Sequence, residues 1–372
     1  MPQSQSQTTA EAYTTLHEWL RQVSDHTARK YEVYRRLFGR GRVSMNHTGD
    51  QKVWPIKFTL PETRGYSGGQ VSFPESDKHR QFSLAPQAVY CSDGMDMLTQ
   101  YRNRGDAALV KRKDEIAGDI RESLQRTMNE AIYYDYADHP LFPAGVESFL
   151  TETTPAVGDR VALPNDDYGG FATDLQTLGG TWSDTLTVQP NTSLGYDWPL
   201  GKGTTPSDTK FDATSPFLFN VTSTAWSAGT NNVEDNLEEV ISTGARWMGL
   251  TRGQMGVPDI CVLAPDYYGI YENIQRAKST INVPHAPGQD VGFRGFNQGG
   301  VLVMEEYGVP ASTGYLLNTK TAELDCWTPQ LFVPFFNQFE LRSLSTLWLA
   351  LFYGQFGWQP HNTGKIYPYA AS

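Results

Sequence analysis

Histidines, paired carboxylates and glycine-rich runs are the features of this chain that could do chemistry, and in each case spacing decides whether they do. The seven histidines, His17, His26, His47, His79, His139, His285 and His361, show no HxxxH or HxH spacing, and none stands beside a cysteine. A metal site is therefore not expected. His285 lies in the proline-rich run INVPHAPG, where a hydrogen-bonded structural role outweighs catalysis. Glu305 and Glu306 are adjacent, and a strand would turn them to opposite faces, which makes a poor acid and base pair. They are read as surface or interface charges. GRGRVS from Gly39 and the glycines Gly292, Gly295, Gly299 and Gly300 have neither a GK[ST] ending nor a GxGxxG bracketed by strand and helix, so no phosphate loop is expected. No GxSxG elbow is present. The sequence thus predicts no enzyme, and no catalytic, cofactor or metal residue.

Composition sets the frame. With 372 residues the chain can bury a substantial core in two or three lobes. Hydrophobic residues at 39%, charged residues at 19%, 12% aromatics, 34 Gly and 22 Pro bias it towards strands and irregular loops. A net charge of −11 excludes a general nucleic-acid binder held by a basic surface. The basic residues that cluster are Arg29, Lys30, Arg35, Arg36, Arg40 and Arg42, and such a run is ordinarily a solvated helix face. Three cysteines, Cys91, Cys261 and Cys326, are odd in number and far apart. That spacing fits a reducing cytoplasm, with Cys261 a small core residue and Cys91 or Cys326 open to pairing between subunits after lysis. The start, MPQSQSQTTAEAY, has no apolar signal region, and nowhere do eighteen apolar residues run together. No signal peptide and no membrane span are expected, and the Asn-x-Ser/Thr triplets at Asn46, Asn191 and Asn220 are read as chance matches.

The elements follow from periodicity. Residues 9–38 carry Leu16, Trp19, Leu20, Val23, Tyr31, Tyr34, Leu37 and Phe38 at helical spacings, with a break near Ser24. From Val43 to Tyr90 the period becomes two. Trp54, Ile56, Phe58 and Leu60 lie on one face, PETRGYSGG makes a long turn, and Val71, Phe73, Phe82 and Leu84 return. Such a hairpin is marginal alone and needs a partner surface. Residues 106–136 place Leu109, Ile116, Ile120, Leu124, Met128 and Ile132 mostly four apart, a long surface helix of roughly 45 Å with one buried stripe. Residues 145–233 read as strands with long loops, because aromatics recur too often for disorder. A helix over 233–249, a buried strand in DICVLAP and a helix in DYYGIYENIQRAKS with Asp266 as N-cap form an α/β lobe. Residues 291–327, VGFRGFNQGGVLVMEEYGVPASTGYLLNTKTAELDCW, read as two short strands, an irregular loop and a third strand. Residues 344–356 are continuously apolar and form a central strand returning to the long helix.

This order of parts, with its most specific stretch from Trp226 to Trp327, resembles the major capsid proteins of tailed bacteriophages. The resemblance implies an α+β, HK97-like capsid fold. Its parts would be an N-terminal arm over 1–41, an extended β-hairpin loop over 42–91 and a peripheral domain with the spine helix over 92–145. An axial domain with a β-rich insertion would span 146–334, and residues 335–372 would return to the peripheral domain. It further implies hexamers and pentamers in an icosahedral shell around double-stranded DNA, located in the virion after assembly in a bacterial cytoplasm. A separate scaffolding protein, a portal and a decoration protein would be its partners. Trp54, Ile56, Phe58, Leu60, Val71, Phe73, Trp19 and Tyr34 are the expected intersubunit contacts. Arg29, Lys30, Arg35, Arg36 and Arg40 would face the genome. Some members crosslink a hairpin lysine to a neighbouring asparagine, but Lys52, Lys57 and Lys78 have no acceptor here that a motif identifies. The alternatives are an encapsulin-like nanocompartment shell and, from another class, a β-rich carbohydrate-binding protein suggested by nine Trp and nineteen Tyr.

Overall fold

The computed structural model describes residues 31–57, 79–96, 106–151, 160–162, 164–173, 216–252, 256–277, 296–340 and 345–368. Helix α1 (Glu32–Gly39) opens the described chain, with Val33 and Leu37 buried on one face. Gly41 at φ +65° turns the chain out of it in a left-handed conformation that side chains resist. Strand β1 (Val43–Ser44) leads to β2 (Lys52–Lys57), β3 (His79–Leu84) and β4 (Gln87–Asp96). Helix α2 (Asp106–Ala131) follows. Its residues Ile116, Ile120, Leu124 and Met128 are all buried, as their spacing by four requires.

The helix stops earlier than the periodicity alone predicts. Gly145 packs against the carbonyl of Ala131, where an added Cβ would lie 2.4 Å away. The next residue, Val146, donates its N–H to the Ile132 carbonyl at 2.7 Å. The returning chain thereby satisfies a terminal carbonyl that would otherwise be orphaned. Short strands β5 (Val161–Ala162), β6 (Asp167–Tyr168) and β7 (Phe171–Ala172) precede β8 (Phe217–Asn220). Then come α3 (Val233–Arg252), β9 (Ile260–Leu263) and α4 (Pro265–Ala277). The remaining strands are β10 (Phe296–Gln298), β11 (Val301–Glu305), β12 (Gly314–Leu317), β13 (Glu323–Cys326), β14 (Val333–Glu340), β15 (Ser345–Gly357) and β16 (Gly364–Tyr367).

Two large sheets organise these parts. In the first, of five strands, β15 runs through the middle. Strand β4 lines one edge from Gln87 opposite Gly354 to Asp96 opposite Ser345, while β14 and β13 share the other edge and β1 pairs outside β13. Alternate residues of β15, Trp348, Ala350 and Phe352, are buried with Val89 and Met95 of β4 under the apolar stripe of α2. In the second sheet, of seven strands, the order is β10-β11-β9-β12-β16-β8-β5. Here both faces are covered. Cys261, Leu263, Val303, Leu316, Ile366 and Phe219 pack with Leu237, Val240, Ile241 and Tyr271 of α3 and α4. Ile260, Val262, Met304, Tyr315 and Leu317 face the core that continues to α2.

The structure corrects several expectations. The described residues of 291–327 hold four strands where three were expected: the β10–β11 hairpin turns on Gly299 and Gly300, both with positive φ, and β13 leaves for the other sheet. The unit expected over 335–372 is split: β15 lies against α2 with β14 paired along it in the five-stranded sheet, but β16 inserts between β12 and β8 of the seven-stranded sheet. The loop boundary at 91/92 falls inside β4, whose ten residues all belong to the five-stranded sheet. Asp266 is not an N-cap. The helix already begins at Pro265, and the first helical position suits a residue without an N–H. The Asp266 carboxylate instead accepts from the N–H and hydroxyl of Ser312 at 2.8 and 2.9 Å.

Candidate assembly surface

The five-stranded sheet is covered by α2 on one face. Register places Tyr90, Leu351 and Val333 side by side on the other, with Leu349 and Phe335 as the next row. Tyr90 is 66% exposed and Phe335 42%, while Leu347, Leu349, Leu351 and Tyr353 are half-buried. Large apolar groups in register on a solvent-facing sheet surface make this face a candidate interaction site.

The two-stranded sheet β2–β3 is anchored at its base. Trp54 sits opposite Phe82 in the register and stacks on it at 5.3 Å, and Tyr168 and Phe171 close around Phe82 at 6.0 and 5.4 Å. Gly169, at φ +60°, lies so close to the Phe82 ring that a Cβ there would be 2.6 Å away, and its carbonyl accepts the Ser83 N–H at 3.1 Å. Beneath Trp54, the buried ammonium of Lys52 donates to Asp325 and lies 3.4 Å from Glu323. His47 Nδ1 is 3.7 Å from the same Asp325. A buried lysine needs such partners, because an isolated charge there would be strongly penalised.

The base of α1 is tied to the seven-stranded sheet. Arg40 lies 2.7 Å from Asp259 and donates to the Thr319 hydroxyl at 2.6 Å, and Arg36 lies 3.7 Å from Asp259 and 3.1 Å from Glu32. Glu306, immediately after β11, is almost fully buried and accepts the Val33 N–H at 3.3 Å. Burial, and then the neighbouring Glu32 carboxylate, push its carboxyl up to about 7 against hydrogen bonds that pull it down.

Against solved structures the chain is similar to a cyanophage capsid, that of P-SCSP1u, at 11% identity and a TM-score of 0.52, covering 93% of this chain and 90% of that one. It is similar also to the capsid of a native GTA particle at 10% identity and a TM-score of 0.52, covering 95% of this chain and 98% of that one. The chain has the HK97-like capsid fold. No protein-family model and no curated protein matches it.

Within the HK97-like fold the expected site residues fall into three groups. Trp19, Phe58, Leu60, Val71, Phe73, Arg29 and Lys30 lie outside the described residues. Ile56 sits on β2 opposite Arg80. Trp54 and Tyr34 are half-buried against the chain's own core, Tyr34 packing on Phe38 at 4.6 Å. Of the basic residues, Arg36 and Arg40 are spent on Asp259 and Glu32, Arg42 lies 3.4 Å from Glu323, and Arg35 keeps 57% of its side chain exposed beside Glu32. The arm base is thus strapped by its arginines.

Sequence reasoning missed three residues that matter here. Glu306 is not a surface charge; its only sequence signal is that it stands two residues beyond the apolar run VLVM. Lys52 is buried because Asp325 waits for it, a partner 273 positions away that no local pattern reveals. Tyr90 lies on the far side of β4 from Val89 and Cys91, and a period of two in QAVYCSDGMD was there to be read.

Proposed function

We propose that this chain is the major shell subunit of a tailed double-stranded DNA phage, self-assembling as hexamers and pentamers into an icosahedral container for the genome. The observation that carries this reading is a capsid fold extending over nearly the whole chain, in which the five-stranded sheet keeps an apolar face open. In this reading the five-stranded sheet with α2 is the peripheral domain, and the seven-stranded sheet with α3 and α4 is the axial domain. The β2–β3 hairpin is the extended loop, anchored in cis at Trp54 and carrying Phe58, Leu60, Val71 and Phe73 to an adjacent subunit. The open face around Tyr90 and Phe335 receives a neighbouring copy. Each square ångström of apolar surface so covered contributes roughly 25 cal/mol, and many modest contacts sum to a stable container.

The mechanism is mechanical, so its partners are other shell components: a scaffolding protein during assembly, a portal at one vertex and a decoration protein outside. DNA is contacted loosely, as the net charge of −11 requires. Replacing Phe58 or Phe73 by Asp tests the loop. Negative-stain microscopy should show soluble capsomers and no closed shells, and normal shells from either variant would refute the trans role. Particles filled with protein and free of DNA would instead support a nanocompartment.

A further inference from the structure

Glu306 joins the end of β11 to the first turn of α1, as Asp259 joins the start of β9 to the last turn of α1. It follows β11 at the junction between the two sheets, it is 1% exposed, and its Oε2 accepts the N–H of Val33 in the first turn of α1. The groups facing it are few. From α1 comes the Glu32 carboxylate, itself buried and paired with Arg35 at 3.6 Å and Arg36 at 3.1 Å. From the turn after α2 comes Tyr133, whose ring stacks on Tyr315 at 5.3 Å and whose hydroxyl faces Glu306 and pulls its carboxyl down, though less than burial raises it. Glu306 Oε1 lacks a well-formed hydrogen bond among the described residues. No cation reaches the Glu306 carboxyl among these groups, since both arginines are directed to Glu32 and Arg36 also to Asp259.

We propose that Glu306 is a proton-operated latch for α1: protonated, it lets the helix stay seated on the junction, and ionised, it favours release of the helix. The physical reason is an imbalance of charge. A seated, ionised Glu306 is a dry carboxylate beside a second carboxylate, compensated by the amides at the start of α1, and a helix end supplies only a fraction of a charge. Unseating α1 removes Glu32 and admits water, which relieves both penalties. A neutral carboxyl meets neither and still accepts the Val33 N–H. The direction agrees with the raised carboxyl value, so α1 should seat more firmly as pH falls through neutrality. The latch is a property of the single subunit and does not rest on the shell reading. Its consequence for assembly, that engagement of the arm follows proton concentration, does.

Hydrogen exchange of the full-length soluble subunit, corrected for intrinsic rates, tests the latch in the amides of α1 between pH 5.5 and 8.5. Protection in the wild type should fall ten- to a hundredfold across this range. Glu306→Gln should hold α1 protected throughout, and Glu32→Gln should move the midpoint to lower pH. A flat wild-type profile would overturn the proposal, as would a Glu306→Gln profile that keeps the wild-type fall. If Glu306→Gln leaves α1 unprotected at every pH, the Glu32→Gln midpoint decides: a shift supports the latch and an unmoved midpoint overturns it. Shell formation plays no part in this readout.

Discussion

The two large sheets share a chain but differ in what they leave uncovered. In the seven-stranded sheet, β8, β9 and β12 are buried at every residue, with α3 and α4 on one side and the core shared with α2 on the other. In the five-stranded sheet, β15 alternates buried and half-buried residues from Leu347 to Tyr353, because among the described residues α2 covers one face. The first sheet is complete within one subunit. The second carries Tyr90 and Phe335 into solvent, and under the proposed function that face is where another copy would seat, so stability and assembly would fall to different sheets.

That division can be broken most forcefully in the closed sheet. Leu316 is fully buried and packs directly against the backbone at Gly244 and Gly364. Leu316→Ala should lower the unfolding free energy by about 4 kcal/mol through the cavity it leaves, measured by urea denaturation. A loss below about 1 kcal/mol would show that this sheet is not the stabilising core.

The next effect lies at the junction. Glu306 has a carboxyl value of 4.5 in the unfolded chain and about 7 when folded. The folded state therefore holds the proton more tightly than the unfolded one. Its contribution is fully present below about pH 4.5 and is lost as pH rises to 7, a change of roughly 3 kcal/mol. Unfolding curves at pH 5 and pH 8 for the wild type and Glu306→Gln should differ by about that slope, and identical slopes would contradict it.

At the hairpin base, Asp325→Ala strips the buried Lys52 of its nearest partner and leaves Glu323 at 3.4 Å, half exposed. A loss of about 2 kcal/mol is expected, with exchange rising first in β2 and β3. Adding Lys52→Met should recover much of it. Absence of recovery would mean that the pair is not what holds the hairpin down. The smallest effect on stability belongs to the open face. Tyr90→Asp should change the unfolding free energy by no more than about 0.5 kcal/mol and still block assembly.

Much of this architecture was legible in local pattern. The stripe Ile116, Ile120, Leu124 and Met128 and the apolar strand through Phe352 declare themselves locally because one neighbour buries each, and ICVL does so as an unbroken apolar run because both its faces are covered. What escaped depended on partners distant in sequence. Strand β16 joins the seven-stranded sheet because β8 and β12 leave a gap between them, which residues 364–367 cannot announce. Arg36 and Arg40 looked like a free basic face until Asp259 was brought beside them. The candidate site was least legible of all. Its apolar face is assembled from β4, β14 and β15, and Tyr90 meets Leu351 only through a pairing across 261 positions, the difference between their residue numbers.

The most direct test of the central claim compares the wild type with Phe335→Asp by electron microscopy of purified protein, alongside matched denaturation curves. The account predicts closed polyhedra or capsomer rings from the wild type, and dispersed, equally stable subunits from the variant. Normal shells from Phe335→Asp, or a wild type that stays dispersed even with a candidate scaffolding protein, would contradict it.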